Sequence, residues 1–270
     1  MTLRLLTLAM GFAFSAGAVQ SHELWIDPVA HQVERDAPIA ADLRVGQEYE
    51  GPAYSYFPRN IRRFDIASGG ALAEVESRAG DRPAVSQTAP EGLAVLIHVT
   101  TDARLTYPEW EKFEAFVRHK DALWTIEAHA ARGLPREGFG EAYSRYAKSL
   151  VAVGRGDGTD REFGLETEIV AGLNPYTDDV SGGMPVTVFY QGAPRSGAQL
   201  EVFAKSEKGD VEVTLLRTDE NGQVTVPVEP GTRYMLDAVV LREPAPDLAD
   251  AETVVWESLW ANLTFEVPAR

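Results

Sequence analysis

The chain has 270 residues, with 41 acidic against 25 basic side chains and a formal net charge of −16. It therefore lacks the clustered Lys and Arg that nucleic-acid phosphates or an anionic membrane surface require. A hydrophobic fraction of 44% excludes a disordered chain, and the lack of any Cys excludes disulfides, thiolate nucleophiles, iron–sulfur clusters and Cys-ligated zinc.

At the start, Arg4 precedes an apolar run from Leu5 to Phe14. The run is shorter than the roughly 20 residues of a membrane span and has the length of a signal-peptide core. Two small-residue sites follow: cleavage after Ala16-Gly17-Ala18 leaves Val19 first, and cleavage after Val19-Gln20-Ser21 leaves His22 first. Residues 1–21 are thus predicted to be an export signal. No later segment is long and apolar enough to cross a bilayer, so the mature chain is predicted to be periplasmic without membrane insertion.

The length suits two domains of about 100–150 residues each. In the first, residues 22–163, Leu24-Trp25-Ile26, the alternating stretch Ile39 to Val45, Phe64-Asp65-Ile66 and Leu93 to Val99 read as short strands. Turns at Gly69-Gly70 and Ala89-Pro90-Glu91-Gly92 separate them. Between about 108 and 133 the period changes to that of a helix, with Trp110, Phe113, Phe116, Val117 and Trp124 on one side and Asp121 as a cap for a second segment. Tyr143 to Val153 resumes strand character. The second domain, residues 164–270, is predicted to be all β, with strands such as Val186 to Tyr190, Leu200 to Phe203 and Tyr234 to Val240. Its Asn221-Gly222 is suited to a tight hairpin turn. The fold class is mainly β: two β-sandwich domains, the first with a helical insertion, the second immunoglobulin-like or transthyretin-like.

With Cys absent, a metal must be held by His, carboxylate, Met, backbone or a terminal amine. A His22 left first by cleavage offers an amine and an imidazole together, a compact chelate suited to Cu(II) or Ni(II). His98 is the most plausible partner, because it lies on the strand face opposite Leu93, Val95, Ile97 and Val99; a hydrogen-bonded structural histidine competes with that reading. His119 and His129 are ten residues apart and meet only if the helix breaks near Lys120-Asp121. His31 reads as surface. Arg145, Lys148, Tyr143 and Tyr146 suggest a small anion site, against the alternative of strand residues paired with surplus acids. No hydrolase elbow, zinc-protease helix, phosphate loop or dinucleotide fingerprint occurs, so no enzyme is predicted.

Several stretches together resemble the NikK-like periplasmic proteins of nickel and cobalt ABC uptake systems. They are His22-Glu23-Leu24-Trp25, Arg145-Tyr146-Ala147-Lys148, Gly164 to Val170 with Asn174-Pro175, Thr218 to Gly222, and Trp256 to Phe265. The resemblance implies a protein that binds Ni²⁺ or Co²⁺, with Cu²⁺ as a further candidate, and delivers it to a membrane transporter. It carries over one site residue, His22. The helical insertion departs from the family pattern. The alternative reading is a metal-free tandem β-sandwich interaction or carbohydrate-binding module with an exposed aromatic patch from Trp256, Trp260 or Tyr54 to Phe57.

Overall fold

The computed structural model describes residues 22–249 and 253–269, so the predicted export signal and its two cleavage sites lie outside it. In chain order, β1 (Glu23–Pro28), β2 (Gln32–Val33), β3 (Ile39–Gly46), β4 (Ala53–Tyr54), β5 (Ile61–Ser68), β6 (Ala71–Glu74), β7 (Val85–Gln87), β8 (Gly92–Thr100) and β9 (Ala103–Tyr107) come first. The helices α1 (Trp110–His119) and α2 (Trp124–Ala131) follow, then the long β10 (Phe139–Val153). The remainder comprises β11 (Thr167–Ala171), β12 (Met184–Tyr190), β13 (Ala193–Pro194), β14 (Gln199–Lys205), β15 (Val211–Arg217), β16 (Gln223–Val226), β17 (Thr232–Arg242), the short α3 (Pro246–Ala249) and β18 (Val254–Val267).

These strands build three sheets, and the chain is mainly β as its alternation predicts. The largest runs β15-β14-β17-β18-β10-β8-β5-β6, with β2 and β9 also paired to β10. Its two faces are covered differently. Leu93, Val95, Ile97, Tyr146, Leu150, Leu259 and Leu263 pack with Ile169, Val186 and Val188 of the sheet β11-β12-β13 with β16. On the other face, Ala94, Leu96, Ala147 and Val151 pack with Leu24, Ile26, Ile39 and Leu43 of the sheet β1-β3-β4 with β7. The helices share this second face, where Phe113, Phe116 and Val117 close over Val239, Trp256 and Trp260.

A central sheet covered on both sides explains why β8 is apolar at both parities and buried from Gly92 through Val99. The large sheet also runs across the expected domain boundary at 163/164. There β10 pairs in parallel with β18, Glu141 opposite Trp256 through Ser149 opposite Thr264.

Two local expectations are corrected. Asp121 caps neither helix: its φ is 56°, and its carboxylate pairs with Arg217 at 2.7 Å. Asn221-Gly222 does not close a hairpin, because β15 belongs to the central sheet and β16 to the sheet of β12. The turn is a crossover between layers, and Gly222 makes it possible with φ 72° and backbone at close range. A Cβ there would stand 2.8 Å from Arg195 N and 3.0 Å from Val188 O. Gly222→Ala is therefore expected to destabilise the fold by about 1–3 kcal/mol in chemical denaturation.

Candidate metal centre

The centre arises from the alternation of β1. Leu24 and Ile26 enter the core beneath β3, whereas Trp25 packs with Phe203 and Met235. Glu23, on Trp25's side, is thereby brought to Glu201 of β14 and Asp237 of β17, which are direct cross-strand partners. Like charges opposed in this way repel unless a cation lies between them. Lys120, just past α1, supplies one. Its Nζ donates to Glu201 Oε2 at 2.8 Å, Glu23 Oε1 at 3.2 Å and Asp237 Oδ2 at 3.3 Å, and stands 4.7 Å from the centre of the Trp260 ring.

The three carboxylates each place an oxygen within 4.8 Å of the others. Glu23, Glu201 and Asp237 are 6%, 2% and 1% exposed, so this charge is held out of water. His119 adds a nitrogen, with Nε2 3.2 Å from Glu201 Oε1. Glu23 Oε2 and Asp237 Oδ1 lack hydrogen-bond partners. So do both amide atoms of the buried Asn262, which faces Asp237 in register. A cavity of about 340 Å³, lined by Glu23, His119, Lys120 and Glu201, opens onto the cluster.

Burial pushes the Asp237 carboxyl up to about 7; Lys120 opposes the rise, and Glu23 and Glu201 add to it. Glu201 goes the other way: burial is outweighed by the His119 hydrogen bond and the Lys120 charge, which hold it below the usual carboxylate range. The Glu201 hydrogen bond raises His119, while for Lys120 the three acids overcome burial and keep it charged. Once Asp237 is ionised, above about pH 7, three carboxylates face one ammonium and the His119 imidazole. Oxygen donors with one imidazole suit a divalent transition metal, and oxygen donors alone would suit Mg²⁺ or Ca²⁺.

The other predicted residues lie elsewhere. The His22 carbonyl accepts two hydrogen bonds from Arg145, at 3.0 and 2.8 Å, and its Nδ1 is buried without a partner. His98 is 2% exposed, edge-on to Phe64, with both ring nitrogens unpartnered. Burial, then the charge of Arg145, pushes it down to about 3, and that guanidinium opposes a metal at the ring. Both His129 nitrogens have partners: Nδ1 accepts from Trp256 Nε1 at 3.0 Å and Nε2 donates to the Pro135 carbonyl at 2.9 Å. The chain does break between α1 and α2, yet His119 and His129 keep separate partners.

Three further expectations are corrected. His31 is 1% exposed rather than superficial; Nδ1 lies 3.1 Å from the Leu150 carbonyl, and burial lowers it to about 4. Arg145 and Lys148 share no anion site: opposite parities on β10 send them to opposite faces, and Lys148 is enclosed by Asp160 and Glu168. Trp256 and Trp260 are 0% and 1% exposed, so they supply no exposed aromatic patch. Sequence reasoning missed all three carboxylates, Glu23, Glu201 and Asp237. The available signal was a lone carboxylate amid apolar strand residues, as in Leu200-Glu201-Val202 and Leu236-Asp237-Ala238.

The model of a family described as a domain of unknown function, DUF4198, matches residues 19–242. The comparison with curated proteins finds no match. Among solved structures, the chain is similar to the D0-D1 domain of intimin at 15% identity, covering 90% of this chain and 97% of that one with a TM-score of 0.23.

Proposed function

We propose, for a chain that belongs to the DUF4198 family, that it binds a divalent transition metal, Ni²⁺ or Co²⁺ with Cu²⁺ as a further candidate, and presents it in the periplasm to an ABC uptake transporter. The observation that carries metal binding is the convergence of Glu23, Glu201 and Asp237 from three separate strands on one cation, with His119 beside them. Periplasmic location and transport rest on the predicted signal and the NikK-like stretches. Nickel or cobalt is favoured over harder cations by the imidazole donor.

In this reading the entering metal displaces Lys120 Nζ. Glu23, Glu201 and Asp237 offer oxygens, His119 turns its nitrogen from Glu201 to the ion, and Asn262 contributes an amide oxygen. Where His22 is the first residue, its amine and imidazole lie one residue from Glu23. Ligands bind deprotonated, so the metal expels the Asp237 proton, and affinity is expected to rise as pH increases through about 7. A terminal amine, with a reference pKa of about 7.7–8.0, extends that rise.

The test is calorimetric titration with Ni²⁺, Co²⁺ and Cu²⁺ on either side of pH 7, using exported protein of determined N-terminal sequence. A form with one extra residue ahead of His22 is titrated beside it. Weaker binding by the extended form places the amine in the site, and equal binding removes it. No binding of any of the three ions ends the metal reading.

One observation favours a second reading. Lys120 already satisfies an oxygen of every acid, so the cluster also fits a permanent ionic lock that fastens the end of α1 to the sheet. A lock predicts that metal changes neither stability nor heat.

A further inference from the structure

Among the described residues Arg145 is a buried cation with no ion-pair partner. It is 9% exposed, and among the described residues no carboxylate lies within 4.0 Å of its guanidinium. Its Nε and Nη2 donate to the His22 carbonyl, and its guanidinium carbon sits 4.6 Å from the Tyr143 ring centre. Tyr143 also interacts with it through its hydroxyl, and the carboxylates of Asp237, Glu23 and Glu141 act on it only from a distance. Leaving a buried cation unpaired is strongly unfavourable, and an anionic partner removes the penalty.

The space for one is present. Arg145 and His98, the imidazole with two unpartnered nitrogens, line a cavity of about 300 Å³. That volume is at the small end of ligand pockets. Leu24, Leu43 and Ile61 form apolar walls, and Tyr54 and Phe57, 49% and 39% exposed, stand at the mouth. Asp102 also lines the cavity, but Arg62 pairs with it, so the uncompensated charge there is the positive one of Arg145. Successive residues of β1 point to opposite sides: Leu24 borders this cavity and Glu23 the carboxylate cluster. The two cavities lie on opposite sides of β1 and share no lining residue.

We infer that this cavity binds a small organic monocarboxylate, with the carboxylate on Arg145, a polar contact to His98 and the apolar body between Leu24, Leu43 and Ile61. Arg145 has donors left beyond those given to His22, and a charge-assisted hydrogen bond to a carboxylate is about twice as strong as a neutral one. A neutral amide of the same shape would leave the guanidinium unpaired.

The test is a titration of the full-length chain with benzoate, benzamide and inorganic phosphate, followed by nitrogen-15 NMR of the imidazole and guanidinium groups. Benzoate is expected to saturate and to shift the His98 and Arg145 signals. Benzamide should bind about tenfold more weakly or worse, and phosphate should not displace benzoate. Arg145→Gln should abolish binding. Because that change also removes the His22 contact, Ser55→Trp at the rim provides a variant that blocks the mouth with the core intact. Absence of benzoate binding by the folded chain, equal binding of benzoate and benzamide, displacement by phosphate, or unchanged binding by Ser55→Trp would each overturn the inference.

Discussion

Lys148→Met is expected to cost about 3–5 kcal/mol of folding stability and to lower the thermal midpoint by about 6–15 °C. Lys148 sits in the middle of β10 and is 0% exposed. Its ammonium is 2.9 Å from Asp160, 3.0 Å from Glu168, and 3.2 and 3.1 Å from the carbonyls of Arg161 and Ile169. Those acids do more than neutralise it. Asp160 accepts from the Ala171 amide, and Glu168 from the amides of Phe163 and Leu165, so the connection between β10 and β11 is fastened to the sheet through them. Methionine fills similar space but leaves two buried carboxylates uncompensated. Adding Asp160→Asn and Glu168→Gln should recover part of the loss, because replacing a whole buried ionic group is far milder than breaking it. A chemical denaturation loss below about 1 kcal/mol for Lys148→Met would show that water reaches the group.

Lys120→Met is expected to produce a loss of about 3 kcal/mol above neutral pH, and Ni²⁺ is expected to reverse it. Without the ammonium, Glu23, Glu201 and Asp237 repel one another inside the fold. The deficit depends on pH with a definite sign. In the unmodified fold burial raises the Asp237 pKa from its ordinary 3.8 to about 7 although Lys120 lowers it, so removing Lys120 raises it further. The stability linked to its proton is complete below 3.8 and is lost as pH rises through the folded value, which is higher in the variant. The variant should therefore suffer least in acid and most above neutrality. A divalent ion replaces the missing charge and raises the midpoint with increasing concentration, whereas a purely structural lock gives the same loss with no recovery in metal.

Much of the architecture was legible from alternation. Ile39 to Val45 and Leu93 to Val99 announced their strands, and the parity that set His98 opposite Leu93, Val95, Ile97 and Val99 is the one observed. The helical insertion at 108–133 was equally clear, because its aromatics recur with helical spacing over Val239, Trp256 and Trp260. The parallel pairing of β10 with β18 was not legible. It joins residues more than a hundred positions apart, and periodicity carries no information about which strands become neighbours.

The site was legible in part for the same reason. His119 was selected as a nitrogen donor, and His22 is adjacent to Glu23, but the acids that complete the cluster come from β14 and β17 and meet only through sheet register. Among 41 acidic residues several are buried, and only the register that sets Glu201 opposite Asp237 beside Glu23 distinguishes these two. His129 was selected as a nitrogen donor too, and the partners that its imidazole bridges, Trp256 and Pro135, follow from tertiary packing rather than from spacing. Arg145 was noticed for its charge, while its lack of a counterion is a property of the folded chain alone.

The central claim is that a transition metal occupies the carboxylates that Lys120 holds, and the most direct measurement is Ni²⁺ affinity in Glu201→Gln beside the unmodified chain, above neutral pH and with folding verified. Glu201 contacts both Lys120 and His119, so the variant removes one charge and the group that orients the imidazole. Affinity is predicted to fall by about 10–100-fold or more, with less proton release on binding. Unchanged Ni²⁺ affinity in a folded Glu201→Gln chain would contradict the account and move the metal away from this cluster.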